Sequence, residues 1–460
     1  MAGSSAPRIL IGAPARGGGK TTFTCGLLQA LVHRGLQPAA CKCGPDYIDP
    51  MFHSEVIGAY SRNLDLFFSE EGQVRRLVAD SAAHSGIVVI EGVMGYYDGI
   101  AVSDEASAWD VARATETPAI LVIDGRGRAR SIAAEVAGFV RFREDSRVMG
   151  VVLNRVSGML YPRLKELIEN ETGVRVYGYL PKLDDCSLES RHLGLVTAAE
   201  VADLRAKLDK LAAVMEETVE IDGLLELAAS APDLGDGNWQ GVPAGAHRSA
   251  PRIAVAHDDA FCFYYADALR LLEHLGAELV EFSPLADERL PEGVSGIYLG
   301  GGYPELHAIE LNANVSMRMA IARAIRVGMP TVAECGGFMY LHDVLEDEQG
   351  NAYSQVGAVK GASFKTDKLG RFGYITMTAA QGGLLADEGD QLRAHEFHYW
   401  DSENPGTAFT AVKPQSTRTW KCGMSTPTMY AGYPHLYLPG SPKAAERFVE
   451  ACASYAGDEL

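Results

Sequence analysis

A lysine behind three glycines and a cysteine ahead of two mark the chemical stations of this chain, APARGGGKTT at residues 13–22 and TVAECGGFMY at residues 331–340. Glycine-rich backbone opening a helix, with a lysine beside it, presents amides and positive charge to the phosphates of a nucleotide. A cysteine on a sharp strand-to-helix turn attacks a carbonyl, with turn amides aimed at the developing oxyanion. One chain carrying both predicts ATP use coupled to acyl transfer.

At the first station, Gly19, Lys20 and Thr21 meet the end of the GxxxxGK[ST] phosphate loop, whereas Pro14 takes the place of its first glycine. Gly17, Gly18 and Gly19 let the backbone approach phosphates closely. Lys20 is expected at the β- and γ-phosphates, Thr21 offers its hydroxyl to Mg²⁺, and Thr22 completes the nucleotide-binding set. In KCGPDYIDPMFH, residues 42–53, Pro45 and Pro50 bracket Asp46 and Asp49 and argue against one regular helix through both, so a loop is expected. Glu91 closes the run IVVIE and Asp98 follows in GVMGYYDG, so four carboxylates are expected at the sheet edge where open α/β folds bind ligands. Taken singly, each aspartate also reads as a solvated turn residue. Four like charges together call for a cation, and Mg²⁺ held by Thr21, Asp46 and Glu91 beside ATP suits them.

At the second station, Thr331–Ala333 reads as a strand, Gly336 and Gly337 permit the reversal, and Phe338–Leu345 reads as a helix. That helix start is expected to lower the Cys335 thiol from about 8.5, with the Gly336 amide facing the oxyanion. Upstream, LGGGYPE at residues 299–305 supplies Gly301 or Gly302 as the second donor. A cysteine nucleophile needs a base, and His395, His398 and His435 lie in strand-like runs of this region; spacing does not choose among them. The other cysteines, at 25, 41, 43, 186, 262, 422 and 452, form no CxxC pair and read as small buried hydrophobes.

These residues need a scaffold of parallel strands. Runs apolar on both faces, Arg8–Ala13, Gln37–Cys43, Ile87–Glu91, Ala119–Asp124, Met149–Asn154 and Val176–Leu180, predict a doubly wound, mostly parallel sheet, with Phe23, Leu27 and Leu31 on a covering helix. A helical stretch over 203–230 closes a first domain at 1–230. Residues 231–250 lose periodicity and read as a linker. A second α/β domain is expected over 251–460, with Gln355–Tyr437 adding antiparallel strands to its sheet. A length of 460 residues and 47% apolar content suit two such domains, and a net charge of −19 argues against nucleic acid as partner. No leader-like or bilayer-length apolar run occurs, so a cytoplasmic protein without membrane partner is expected.

KCGPDYIDPMFH, RNLDLF, EGVMGYYDG, ESRHLGL, DDAFCFYY, FSPLADERLP, YLGGGYPELH, AECGGFMYL and RAHEFHYW, in order from about residue 9 to 438, together resemble the cobyrinic acid a,c-diamide synthase family. The resemblance implies a phosphate-loop, dethiobiotin-synthetase-like ATP domain followed by a class I glutamine amidotransferase-like α/β domain. It implies amidation of the a and c side-chain carboxylates of a corrinoid in cobalamin biosynthesis, with ATP, Mg²⁺ and L-glutamine, through acyl phosphates. It selects His435 as the base of Cys335, sets Asp46, Asp49, Glu91 and Asp98 around Mg²⁺, γ-phosphate and substrate, and brings Tyr47 near the substrate. Pro14, Ala394 and Tyr437 depart from the family pattern, and no acid behind His435 is located, Glu396 being the stand-in.

Rival readings are a relative that amidates another tetrapyrrole, such as hydrogenobyrinic acid or nickel sirohydrochlorin, and cobyric acid synthase, which should lack GPDYIDP. A partitioning-type ATPase would carry a lysine where this chain has Ala15. Expected partners are small molecules, and a homodimer stays open.

Overall fold

Alternating apolar runs and helices become a seven-stranded sheet in a computed structural model that describes residues 6–183, 198–235, 241–243 and 250–458. Its strands are β1 (Arg8–Gly12), β2 (Pro38–Cys43), β3 (Tyr60–Leu64), β4 (Ile87–Glu91), β5 (Ala119–Asp124), β6 (Val148–Asn154) and β7 (Arg175–Leu180). They are ordered β3-β2-β4-β1-β5-β6-β7 with every neighbouring pair parallel. Helices cover both faces, so both faces of the strands are apolar: Leu10, Val88 and Ile90 pack into one layer, Ile9, Ile11 and Val89 into the other. The chain leaves β1 toward β2 and later crosses to β5 on its other side, so β1 sits where the winding reverses. That is where such folds bind ligands.

Strand β3 departs from expectation. Its sequence, YSRNL, has no apolar alternation, yet Arg62 and Asn63 are buried. Their polar atoms are satisfied internally: Arg62 Nη1 donates to Leu77 O at 2.8 Å, and Asn63 Nδ2 donates to Gly44 O at 2.9 Å and Asp46 O at 2.7 Å. A buried polar strand is thus built to hold the aspartate loop. The helical stretch expected over 203–230 is two helices, Ala198–Thr218 and Ile221–Ala229.

The chain divides into two units, Met1–Gly241 and Val242–Leu460. In the second, β8 (Arg252–Ala256), β9 (Glu278–Phe282), β10 (Gly296–Leu299) and β11 (Thr331–Glu334) are parallel strands, as expected of an α/β unit. The rest of its strands are β12 (His342–Glu346), β13 (Ala352–Ser354), β14 (Val359–Lys365), β15 (Arg371–Ala379), β16 (Gln391–His398) and β17 (Trp400–Ser402). They continue through β18 (Phe409–Val412), β19 (Thr419–Cys422), β20 (Met424–Thr426), β21 (Met429–Gly432) and β22 (His435–Leu436).

Only β20 and β21 join the parallel strands, in the order β20-β21-β11-β10-β8-β9. The others form sheets of their own, β13-β12-β14-β17 and β19-β18-β15-β16-β22, which corrects the expectation that they extend the first. The helix expected over Phe338–Leu345 is also corrected: helix Gly336–Tyr340 stops early and His342–Glu346 is β12, captured by pairing with β13 and β14. ESRHLGL, Cys186 and most of the expected linker lie outside the described residues. Among the described residues no helix is long and apolar enough to cross a membrane.

Candidate functional site

The phosphate loop leaves β1 and ends at Gly19, which precedes helix Lys20–His33. Gly17 and Gly19 have φ of 74° and 100°, and a Cβ on Gly19 would stand 2.1 Å from the Asn154 side-chain nitrogen. Both positions therefore require glycine. The loop is braced from the end of β6: Asn154 Nδ2 donates to Gly18 O at 2.9 Å, and Arg155 donates to Gly17 O at 3.2 Å while pairing with Asp124 at 2.8 Å. Lys20 Nζ folds over the loop, donating to Ala15 O at 3.4 Å and to Met94 O. Burial, followed by the charge of Lys42, lowers its pKa to about 8.

Next to the loop, three carboxylates surround a lysine, Lys42. Lys42 on β2, 4% exposed, stands across from Glu91 on β4. Its Nζ lies 2.5 Å from Asp49 Oδ2, 2.9 Å from Glu91 Oε1 and 4.0 Å from Asp46 Oδ2. Burial pulls the ammonium down, but Glu91, Asp49 and Asp46 outweigh it and hold Lys42 above its ordinary value. Burial likewise pushes Glu91 up, and Lys42, His53 and Thr21 reverse that, holding it well below the usual carboxylate range. Asp49 is raised to about 6, first by burial and then by Glu91.

The four acids expected near a metal divide into two places. The cation among Asp46, Asp49 and Glu91 is Lys42, while Asp98 turns to its own backbone, accepting from Gly95 N at 3.0 Å. Asp49 is not on a loop: it opens the short helix Ile48–Met51, and Asp46 Oδ1 accepts from Ile48 N at 3.0 Å and Asp49 N at 3.1 Å. Pro50 is tolerated because amides of a first helical turn lack intrahelical partners anyway. Tyr47 stands immediately before this helix, as its N-cap.

Among the described residues no three His, Cys, Asp or Glu side chains are grouped as a metal cage. The residues present do fit a metal that arrives with phosphates. Thr21 Oγ1 donates to Glu91 Oε1 at 2.6 Å, and Glu91 Oε2 has no hydrogen bond, its neighbour being His53 Nε2 at 3.5 Å. One hydroxyl and one carboxylate beside a phosphate loop is the donor set Mg²⁺ uses when phosphates and water fill its remaining positions.

In the second unit Cys335 ends β11 at φ 46° and ψ −102°, a conformation costing about 1–3 kcal/mol. The surrounding backbone enforces it: Cys335 N donates to Gly432 O at 2.8 Å and Gly337 N to Gly300 O at 2.8 Å. A Cβ on Gly336 would stand 3.0 Å from Gly302 N, so the Gly302 amide lies against the turn. A Cβ on Gly301 would stand 2.4 Å from His435 Cε1. The glycine loop, cysteine turn and His435 thus meet at one edge of the parallel sheet.

His435 is held there through the residue before the cysteine. Glu334 Oε1 accepts from Leu436 N at 3.1 Å, and Tyr298 OH donates to Glu334 Oε2 at 3.3 Å. Burial raises Glu334 to about 8, so its carboxyl is neutral near pH 7. Burial lowers His435 to about 3, helped by His395 and His398, which keeps the imidazole neutral.

Burial also pushes the Cys335 thiol well above its ordinary value, with Glu305 adding to this and the Gly336 amide opposing it. The expected lowering by the helix start is therefore corrected, since a five-residue helix cannot outweigh burial. Glu396, the stand-in for an acid behind His435, contacts other groups. It lies 3.2 Å from His398 Nε2 and 3.7 Å from Arg371, and the pairing of His395 with His435 puts their side chains on the other face of the sheet.

Comparison with known proteins agrees with this division. Residues 9–196 match the model of a CobQ/CobB/MinD/ParA nucleotide binding domain, and residues 252–442 that of a CobB/CobQ-like glutamine amidotransferase domain. A protein named cobyrinate a,c-diamide synthase from Thermoplasma volcanium is 42% identical over 98% of each chain. Proteins of the same name from Caldanaerobacter subterraneus and Salmonella typhimurium are each 38% identical, over 95% of this chain and 97% and 96% of theirs.

Proposed function

Because the chain belongs to the cobyrinate a,c-diamide synthase family and is a glutamine-hydrolysing carbon–nitrogen ligase, we propose that it amidates the a and c carboxylates of cobyrinic acid through acyl phosphates. The observation that supports this best is the joint presence, in one chain, of the Lys20/Thr21–Glu91 phosphate site and of a Cys335 turn lying against Gly302, with His435 against the neighbouring Gly301. We also place the reaction in the cytoplasm, where ATP and glutamine are both at hand.

In the amidotransferase unit His435 takes the thiol proton as Cys335 sulfur attacks the side-chain carbonyl of glutamine. The amides of Gly336 and of Gly301 or Gly302 face the oxyanion. As the tetrahedral species collapses, His435 returns the proton to the departing nitrogen and ammonia leaves. Water, deprotonated by His435, then cleaves the thioester to glutamate.

In the synthetase unit Gly17, Gly18 and Gly19 cradle ATP, with Lys20, drawn off Ala15 and Met94, meeting the phosphates and Thr22 beside them. Thr21 and Glu91 would hold Mg²⁺, which neutralises phosphate charge and orients the transferred group. A substrate carboxylate attacks the γ-phosphorus and ADP departs. Ammonia adds to the resulting acyl phosphate, and phosphate leaves as the amide forms. Lys42 keeps Asp49 and Glu91 in place, while Asp46, Tyr47 and Asp98 border the carboxylate being activated.

The deciding experiment supplies cobyrinic acid, hydrogenobyrinic acid or nickel sirohydrochlorin with ATP, Mg²⁺ and glutamine. ADP, glutamate and product mass are then followed. Cobyrinic acid should gain two amides, and a preference for either other macrocycle refutes the proposed substrate.

Two variants probe the cysteine site. Gly301→Ala drives a methyl into His435 and should cut glutamine hydrolysis about a hundredfold, the penalty for misplacing a reacting group by about an ångström, while ammonium-driven amidation persists. Glu334→Ala should lower glutamate release about tenfold or more, whereas Glu334→Gln, neutral and still an acceptor for Leu436 N, should stay within a few-fold of wild type. Equal losses in the two Glu334 variants would show that an ionised carboxylate is needed.

A further inference from the structure

The sheet β19-β18-β15-β16-β22 buries one face and, away from the buried His435, exposes part of the other. Along β15 and β16, Ile375, Met377, Leu392 and Ala394 point inward. The outward positions should be polar in an antiparallel sheet with one wet face, as Thr376, Thr378, Gln391 and Arg393 are, but at the other end of the strand pair they are aromatic. Phe372, Phe397 and Tyr399 are 51%, 44% and 47% exposed. With Tyr374 and His395 they form a continuous row, successive ring centroids lying 5.6 to 5.9 Å apart. The row runs to the cysteine site, because His395 pairs directly with His435.

Charge on this face also goes against the rest of the chain. In a protein of net charge −19, no outward position of β15, β16, β18 or β19 is a carboxylate. Arg393 and Lys421 are exposed there, and Lys413 lies at the rim, donating to Phe372 O at 2.9 Å. A second copy of this chain is a poor fit, since a twofold contact centred here would set these cations against their own equivalents.

We propose that this aromatic, cationic face docks a flat macrocycle that bears several carboxylates, which stacks on the Phe372–Phe397–Tyr399 row and directs its acids to Arg393, Lys413 and Lys421. This rests on the proposed function, whose substrate has that chemistry, and it gives the amidotransferase unit a direct part in substrate capture. Stacking suits the face of a conjugated ring, and the cations suit its rim.

The test uses the full chain as wild type, Phe372→Ser/Phe397→Ser and Arg393→Glu/Lys421→Glu. Each is assayed for KM of cobyrinic acid, for glutamine and ATP kinetics, and for quenching of the fluorescent polycarboxylate uroporphyrin. Both double variants should raise macrocycle KM and uroporphyrin Kd about tenfold, with ATP KM and glutamine hydrolysis unchanged. In wild type, macrocycle KM should rise with salt, and less steeply in the charge-reversed variant.

Unchanged macrocycle KM and uroporphyrin binding in both variants would overturn the proposal. So would a wild-type dimer in sedimentation that these variants dissolve, since the face would then be a contact between copies. If wild type amidates no macrocycle the proposed function fails, and loss of uroporphyrin binding in the variants still reports on the surface.

Discussion

Cys335→Ser should abolish glutamine-dependent amidation and leave ammonium-dependent amidation near the wild-type rate. Serine is close to cysteine in size and leaves the φ 46° backbone turn and the bond from residue 335 N to Gly432 O in place, so the fold should be undisturbed. A hydroxyl is a far poorer nucleophile than the thiolate His435 can generate, and the loss in glutamate release should reach about a thousandfold or more. Ammonium enters after this chemistry and needs only the acyl phosphate. Amide formation assayed with each nitrogen source checks the result; equal loss of both would contradict two separable stations.

Lys42→Met should cost both stability and activity. It removes the one ammonium among Asp46, Asp49 and Glu91, and a buried carboxylate deprived of its partner destabilises by about 3–5 kcal/mol. Amidation should fall to background with either nitrogen source, because Glu91 can no longer be held ionised beside Thr21. Lys42→Met/Glu91→Gln should recover much of the lost stability while remaining inactive. Denaturant midpoints of the two single variants and the double variant measure this coupling, and simple additivity would show that Lys42 and Glu91 do not interact.

Both loops that carry the proposed chemistry were readable in the sequence, since close approach of backbone to phosphate or oxyanion admits little but glycine. Gly19 against Asn154 and Gly301 against His435 are the structural counterparts of that constraint. For Lys42 the sequence carries only the faint signal of PAACKC, a lysine inside an otherwise apolar strand that needs buried acids to compensate it. Strand β3 was missed for the related reason that its buried residues are polar and satisfied by partners distant in sequence. For Phe338–Leu345, local periodicity favoured a helix, but pairing of Leu345 with Ser363 and Tyr353 won. The thiol of Cys335 was misjudged because burial is a property of the folded unit, not of the turn.

Burial of the Cys335 thiol also bears on how the enzyme rests between turnovers. Alkylating agents and peroxides react with sulfur that has already lost its proton, and here burial keeps the proton on until a carbonyl arrives to be attacked. Cys335 should therefore react slowly with such agents when no glutamine is present, which a thiol-alkylation time course with and without glutamine would check.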